Sequence, residues 1–128
     1  MTIRCVVVTP ERTELDREAD FVALPMYDGE LGVQTGRAPM IGRLGYGVLR
    51  LQTSEGAKRF FVDGGFAQVE ANVVSILTAR AIPVDWLSVD EANKALSDAL
   101  ELPSDTPALA KIKDTAVHRA RGQLRASR

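Results

Sequence analysis

The chain has 128 residues, enough for one domain of ordinary size with a small appendage. Apolar residues make up 45% and charged residues 26%, and the 16 basic and 17 acidic residues nearly cancel. This balance gives no reason to expect a nucleic-acid partner or direct insertion into lipid. One cysteine, Cys5, allows no intrachain disulfide, and one histidine, His118, leaves little material for a catalytic triad or a His-rich metal site. We interpret Cys5 as a small buried hydrophobe in a reducing compartment rather than as a reactive thiol.

Residues 1–82 predict an all-β sandwich, because short apolar and β-branched runs recur at roughly 8–12 residues with a turn signal at each break. One pair reads as a hairpin around Ser54-Glu55-Gly56. The predicted strands are residues 3–9, 21–25, 30–33, 48–52, 58–62, 66–69 and 72–77. The expected core residues are Val6, Val8, Phe21, Val22, Leu31, Val33, Leu49, Phe61, Phe66, Val69, Val74 and Leu77.

The periodicity changes after a connector at residues 83–87, and residues 88–128 predict an antiparallel two-helix hairpin. Ser88-Val89-Asp90-Glu91 is a capping box that starts the first helix. Thr106-Pro107 caps and starts the second helix, because proline suits the first helical turn. The fold class is therefore α+β: an N-terminal all-β sandwich followed by a C-terminal antiparallel helical hairpin. Both apolar stripes are rich in alanine, so we expect the hairpin to dock on another surface.

Two features of this tail have alternative interpretations. Residues 107–128 contain six bases and one acid, Asp114, whereas residues 88–102 contain four acids and one base, Lys94. This asymmetry indicates either two solvated helices that attract each other weakly or a basic last helix that meets an acidic protein surface. The only tryptophan, Trp86, either fills the seam between hairpin and sandwich or lies on a partner surface.

The sequence offers little catalytic chemistry. The glycines at Gly42, Gly45 and Gly47 have the wrong spacing for a phosphate-binding loop, and a strand rather than a helix follows them. The acids are scattered, and no pair belongs to an evident cleft. We therefore expect a protein that is not an enzyme by itself.

Four motifs follow one another along the predicted sandwich: Gly29-Glu30-Leu31-Gly32-Val33, Gly36-Arg37-Ala38-Pro39, Val62-Asp63-Gly64-Gly65-Phe66-Ala67-Gln68-Val69 and Asn72-Val73-Val74-Ser75-Ile76-Leu77. They resemble the signature of the ATP synthase epsilon family. With Leu24-Pro25-Met26-Tyr27-Asp28, Leu44 and Gly47-Val48-Leu49-Arg50, which also match, they run through most of residues 20–80. The hairpin resembles the family more weakly, through residues 89–92 and 122–125.

The resemblance implies a non-catalytic central-stalk subunit that couples proton or sodium transport to ATP synthesis. Its implied partners are the gamma subunit, the membrane ring of c subunits and, when the hairpin extends, an acidic loop of the beta subunits. The implied location is the cytoplasmic face of a bacterial inner membrane, held peripherally. The candidate partner-contact residues are Glu30, Arg37, Trp86, Lys111, Arg119, Arg121 and Arg125. A free-standing β-sandwich module that binds a small molecule or senses a nucleotide is the alternative.

Two departures from the family pattern affect ligands. Arg37 replaces the common histidine, which puts imidazole-dependent contacts in doubt. Some relatives bind ATP between the helices, and the matching residues here leave only a weak remnant of that site, formed by Asp90, Lys94 and Arg119. Asn93 stands where the family motif has an arginine, and Gln123 stands where the last helix has a basic residue. A neutral amide cannot give a phosphate the charge-assisted bonds that arginine gives. We therefore expect no cofactor and weak or absent ATP binding.

Overall fold

The computed structural model describes residues 2–127, which form eight strands, a short 3₁₀ turn and two helices. The strands are β1 (Ile3–Val8), β2 (Thr13–Ala19), β3 (Phe21–Met26), β4 (Gly29–Val33), β5 (Met40–Thr53), β6 (Gly56–Glu70), β7 (Val73–Leu77) and β8 (Ala81–Pro83). The turn at Val84–Trp86 leads to α1 (Val89–Leu100) and α2 (Pro107–Ser127). The predicted fold class, a sandwich followed by a helical hairpin, is confirmed.

The sandwich is one continuous sheet folded into two layers. Its strand order is β2-β1-β7-β6-β5-β3-β4, and β8 pairs with the first half of β6. All neighbouring strands are antiparallel except β1 and β7, which are parallel. The two long strands β5 and β6 pair with each other along their whole length, and each contributes one half to each layer. Both layers bury their inner faces in a common core.

The predicted core is half right. Val22, Val33, Leu49, Phe61, Val69 and Val74 are buried as expected. Phe21 and Leu31 are half-buried. The prediction is wrong for Val6, Val8, Phe66 and Leu77, which lie on the outer side of the sheet. On β1 the inward residues are instead Ile3, Cys5 and Val7, one position away, and a one-residue slip moves every side chain of a strand to the opposite face.

The strand boundaries also differ from the prediction. The charged segment of β2 (Thr13–Ala19) was not expected to be a strand, yet it pairs with β1 along the edge of the sheet. Gly64-Gly65 does not separate two strands, because β6 continues through it. Both glycines have positive φ, +69° and +110°, and a Cβ at Gly65 would lie 1.9 Å from the carbonyl oxygen of Leu77. Glycine therefore allows β6 to bend from one layer into the other.

The hairpin begins where its caps predict. The Ser88 hydroxyl accepts a hydrogen bond from the Glu91 amide at 3.3 Å, and the Thr106 hydroxyl accepts one from the Leu109 amide at 3.1 Å. The helices pack through small residues such as Ala92 and Ala120, so their backbones lie close together. Within residues 2–127, neither helix is both long enough and apolar enough to cross a membrane.

Candidate functional site

The last helix is docked on the sandwich where β5 and β6 bend. Arg119 of α2 donates a hydrogen bond from Nε to Oδ1 of Asp63 at 2.6 Å. The Asp63 side chain is only 7% exposed, and its cross-strand neighbour Tyr46 lies under the same guanidinium, 5.5 Å from the ring centroid. The hydrogen bond that Arg119 donates to the Asp63 carboxylate raises the pKa of Arg119, so the arginine stays charged. We call this arrangement of Arg119, Asp63 and Tyr46 the docking latch.

A glycine lets α2 approach the latch closely. A Cβ built on Gly122 would lie 2.4 Å from the carbonyl oxygen of Tyr46, so any side chain there would push the helix away. Val117 and Leu124 are buried beside it. From the sequence, Gly122 was recognised only as part of a family motif. The sequence does carry a signal of this close contact, because a glycine inside a helix lowers helix stability unless close packing requires it.

The outer side of one layer forms an apolar surface. Phe66 pairs with Leu77 across β6 and β7, and Leu77 pairs with Val8 across β7 and β1. Phe66 is 57% exposed and Leu77 58% exposed. Val6 and Ile41 lie at the two ends of the next row of outward residues, with Ser75 and Gln68 between them. We call these five apolar residues the outer apolar face.

The hairpin turn between β3 and β4 forms a second exposed end. Glu30 is 63% exposed at its side chain, and its nearest cation is Arg50, with 4.0 Å between Oε1 and Nη2. The Arg43 guanidinium lies over the ring of Tyr27, 4.2 Å from its centroid. An open cavity of about 620 Å³ is lined by this turn and by Arg37, so two of the predicted contact residues, Glu30 and Arg37, lie in one place.

Among the remaining predicted contact residues, Arg125 lines a cavity together with Glu30, whereas Trp86, Lys111, Arg119 and Arg121 line none of the cavities at that turn. The interpretation of Trp86 as a plug between hairpin and sandwich is wrong, because the 3₁₀ turn that carries it leaves the ring 77% exposed. Lys111, Arg121 and Arg125 are exposed on α2. Arg119 differs from them because the latch holds it against the sandwich.

The structure does not bring together the three residues of the predicted weak ATP site, Asp90, Lys94 and Arg119. Asp90 and Lys94 are exposed on α1, while Arg119 points to Asp63. A cavity of about 180 Å³ lies where the connector meets both helices, and its lining includes Gln123 and Glu91. The lining of that cavity does not include Asp90, Lys94 or Arg119, which all lie within residues 2–127. Weak ATP binding stays a prediction. Within residues 2–127 there is no group of three or more His, Cys, Asp or Glu side chains able to hold a metal ion.

An exposed apolar face on a folded sandwich is typical of a protein that binds another macromolecule through that surface. The family model for the beta-sandwich domain of the ATP synthase delta/epsilon chain matches residues 2–84. The ATP synthase epsilon chain of Rhodopirellula baltica is 78% identical over 128 residues, covering all of both chains. The epsilon chain of a Nostoc species is 37% identical, covering 99% of this chain and 97% of its own. This chain belongs to the ATP synthase epsilon chain family.

Two solved structures have the same fold. A chain of the Euglena gracilis mitochondrial ATP synthase superposes with a TM-score of 0.87 at 23% identity, covering 99% of this chain and 82% of that one. A chain of the Tetrahymena thermophila mitochondrial ATP synthase gives 0.79 at 16% identity, covering 100% and 98%. The family membership confirms the predicted epsilon-type subunit of an F-type ATP synthase and does not favour the free-standing module.

Proposed function

We propose that this chain is a non-catalytic subunit of the central stalk that binds the gamma subunit through its outer apolar face. The pairing of Phe66, Leu77 and Val8 across three strands is the observation that carries the proposal. Contiguous apolar surface is rare on proteins that function alone, and it marks interaction sites.

The composition of β1 supports a covered outer face. Its inward residues Ile3, Cys5 and Val7 fill the core, and its outward residues Val6 and Val8 are also apolar. Strands that are apolar on both sides are typical of sheets buried on both faces. The rim is polar, since Arg4 and Asp16 pair there through two hydrogen bonds of 2.8 and 2.6 Å. An apolar centre with a polar rim is the usual plan of a protein interface.

We propose that the β3–β4 turn with Glu30, together with Arg37 in the loop between β4 and β5, faces the membrane ring of c subunits. The two side chains place a carboxylate and a guanidinium on one exposed cavity wall. Rim charges of this kind set orientation and association rate more than affinity. Binding to gamma and to the ring would couple proton or sodium transport to ATP synthesis and hold the chain at the cytoplasmic face of a bacterial inner membrane.

The hairpin is proposed to regulate ATP hydrolysis by leaving the sandwich and presenting its basic helix to an acidic loop of the beta subunits. Lys111, Arg121 and Arg125 are exposed in the docked position, but Arg119 is held by Asp63. One guanidinium cannot serve both contacts at once. The latch therefore competes with the proposed contact to beta for the same residue.

The proposal is tested by co-expressing the chain with its gamma subunit and measuring co-purification. Phe66→Asp places a charge at the centre of the outer apolar face, so we expect loss of the complex. Ile112→Asp is the matched control, because Ile112 is 60% exposed but lies on α2. A folded Phe66→Asp chain that still co-purifies with gamma would refute this assignment.

A further inference from the structure

A single side chain joins the turn between β6 and β7 to the loop between β4 and β5. The side-chain oxygen of Asn72, Oδ1, accepts a hydrogen bond from the Gly36 backbone amide at 2.8 Å, across 36 positions of the sequence. The backbone carbonyl of Asn72 accepts a second bond, from the Arg4 amide at 2.9 Å. Asn72 is therefore anchored to β1 through its backbone and holds the β4–β5 loop through its side chain.

The loop that Asn72 holds carries Arg37. Its residues 34–37 form a β-turn, closed by a hydrogen bond of 3.2 Å from the Arg37 amide to the Gln34 carbonyl, and Gly36 adopts a φ of +86°. Residues 36–39 are all exposed, so no buried side chain fixes this part of the loop. The bond from the Gly36 amide to Asn72 therefore limits the conformations of the turn, and with them the position of Arg37.

Asparagine at position 72 meets two separate requirements. The first is the tight turn itself, because Ala71 and Asn72 both have positive φ, +52° and +62°, as a two-residue hairpin turn of type I′ needs, and asparagine tolerates that region. Glycine would meet this first requirement equally well. The second requirement is an acceptor for the Gly36 amide, and glycine has no side-chain oxygen. Substitution can therefore separate the role of Asn72 in the turn from its bond to the loop.

We propose that Asn72 is a positioning residue for the contact with the membrane ring, because it holds Arg37 beside Glu30. The inference rests on the proposed function of that end of the sandwich. Glu30 and Arg37 line one cavity of about 620 Å³, but only Glu30 belongs to a strand, β4, where the ladder with β3 fixes its backbone. The backbone of the loop with Arg37 depends instead on Asn72.

Fixing the loop matters because the proposed contact uses two charges of opposite sign. Such a pair matches a complementary surface in one orientation only if the distance between the two charges is fixed. A loop that is ordered before binding also loses less conformational entropy when the complex forms. Loss of the bond from Gly36 should therefore weaken the contact of Arg37 with the ring while leaving Glu30 in place.

The first measurement is hydrogen exchange of the Gly36 amide in the full chain, followed by NMR. Asn72→Gly keeps the turn but removes the acceptor, so we expect the Gly36 amide to exchange roughly tenfold faster. Asn72→Asp keeps an acceptor oxygen and tolerates positive φ, so we expect a rate near that of the wild type. The amide of Ile76, in the interior strand β7, should stay strongly protected in all three chains, which checks that the sheet is intact.

The second measurement is ATP-driven ion pumping relative to ATP hydrolysis in the reconstituted enzyme. We expect Asn72→Gly to lower this ratio and Asn72→Asp to keep it near the wild-type value. Because Asn72 acts through Arg37, the double variant Asn72→Gly/Arg37→Ala should lose no more coupling than Arg37→Ala alone. A residue that only stabilised the turn would add its own loss to that of Arg37→Ala.

Three results would overturn the inference and leave the proposed ring contact standing. They are unchanged exchange of Gly36 in Asn72→Gly, additive losses of coupling in the double variant, and a normal pumping ratio in Asn72→Gly while Arg37→Ala lowers it. An unchanged ratio in both Arg37→Ala and Glu30→Ala would instead refute the ring contact, and the inference would fall with it.

Discussion

Replacement of Arg119 by alanine should undock the hairpin while leaving the sandwich folded. The substitution removes the 2.6 Å hydrogen bond to Asp63 and the contact with the Tyr46 ring. The Asp63 carboxylate, 7% exposed, is then left without its cation. A buried acceptor that loses its partner incurs most of its desolvation cost, about 1–3 kcal/mol and more for a charged group.

The expected loss of docking free energy is reduced because the Arg119 side chain is itself 43% exposed, and solvent screens its attraction to the Asp63 carboxylate. We therefore expect a loss of about 1.5–2.5 kcal/mol in docking free energy. Since about 1.4 kcal/mol is a factor of ten, the docking equilibrium should fall by roughly ten- to sixtyfold. The undocked helices should also fray, because short alanine-rich helices have little stability alone.

The assay is urea denaturation followed by helical circular dichroism, arranged as a double-mutant cycle of Arg119→Ala and Asp63→Asn. We expect each single variant to lower the stability of the helical transition and the double variant to lose clearly less than the sum. Arg121→Ala, on the same helix but outside the latch, serves as the control and should have little effect. Additive losses, with a coupling energy below about 0.5 kcal/mol, would refute the latch.

Four further changes test other parts of the molecule. Gly122→Ala should weaken docking because a Cβ at this position meets the Tyr46 carbonyl, even though alanine is the better helix former by about 1 kcal/mol. A more stable helical transition in urea would contradict this expectation. Glu30→Ala should leave the fold intact and lower ATP-driven ion pumping relative to hydrolysis in reconstituted enzyme, and an unchanged ratio would leave Glu30 as a turn-end carboxylate. Deletion after Leu87 should leave a folded sandwich that still assembles, and the complex that contains it should hydrolyse ATP faster at low salt. An unfolded product would mean that the hairpin is part of the core. Burial raises the pKa of the Cys5 thiol to about 12, so above about pH 9 the unfolded chain loses this proton while the folded chain keeps it. The free energy of unfolding should therefore fall by about 1.4 kcal/mol per pH unit above that pH. The Cys5→Ala chain should lack this contribution to the slope.

The sequence predicted those parts of the fold that depend on local chemistry. Ser88 and Thr106 start their helices because a side-chain oxygen can satisfy the first backbone amides whatever the rest of the chain does. The turn at Ser54-Glu55-Gly56 joins β5 to β6 for a similar local reason, since Gly56 adopts a φ of +109°. Such signals need only a few neighbouring residues.

Which side chains of a strand point into the core could not be predicted from local signals of this kind. β1 is apolar on both sides, so alternation does not tell which of Val6 and Val7 points inward. The choice depends on the register with β2 and β7, which involves distant parts of the chain. β2 was missed because it is an edge strand, and its charged composition is one that edge strands often use.

Glu30 and Arg37 were predicted as contact residues because they stand in family motifs. Both line one cavity, and their contacts with a partner stay predictions. The docking latch joins Arg119 to Asp63 across 56 positions, and one sequence holds no signal that pairs them. Trp86 was misjudged because the size of a ring does not indicate whether its neighbours or a partner will cover it.

The sharing of β5 and β6 between the two layers has a mechanical consequence. In a sandwich whose layers touch only through side chains, a sideways force can slide one layer over the other. Here two covalent backbones, 14 and 15 residues long, cross from layer to layer, and they are hydrogen-bonded to each other on both sides of the bend. Sliding would require stretching of these backbones or breakage of that ladder. A twisting load applied to the Glu30 turn would therefore act on these covalent backbones as well as on side-chain contacts between the layers.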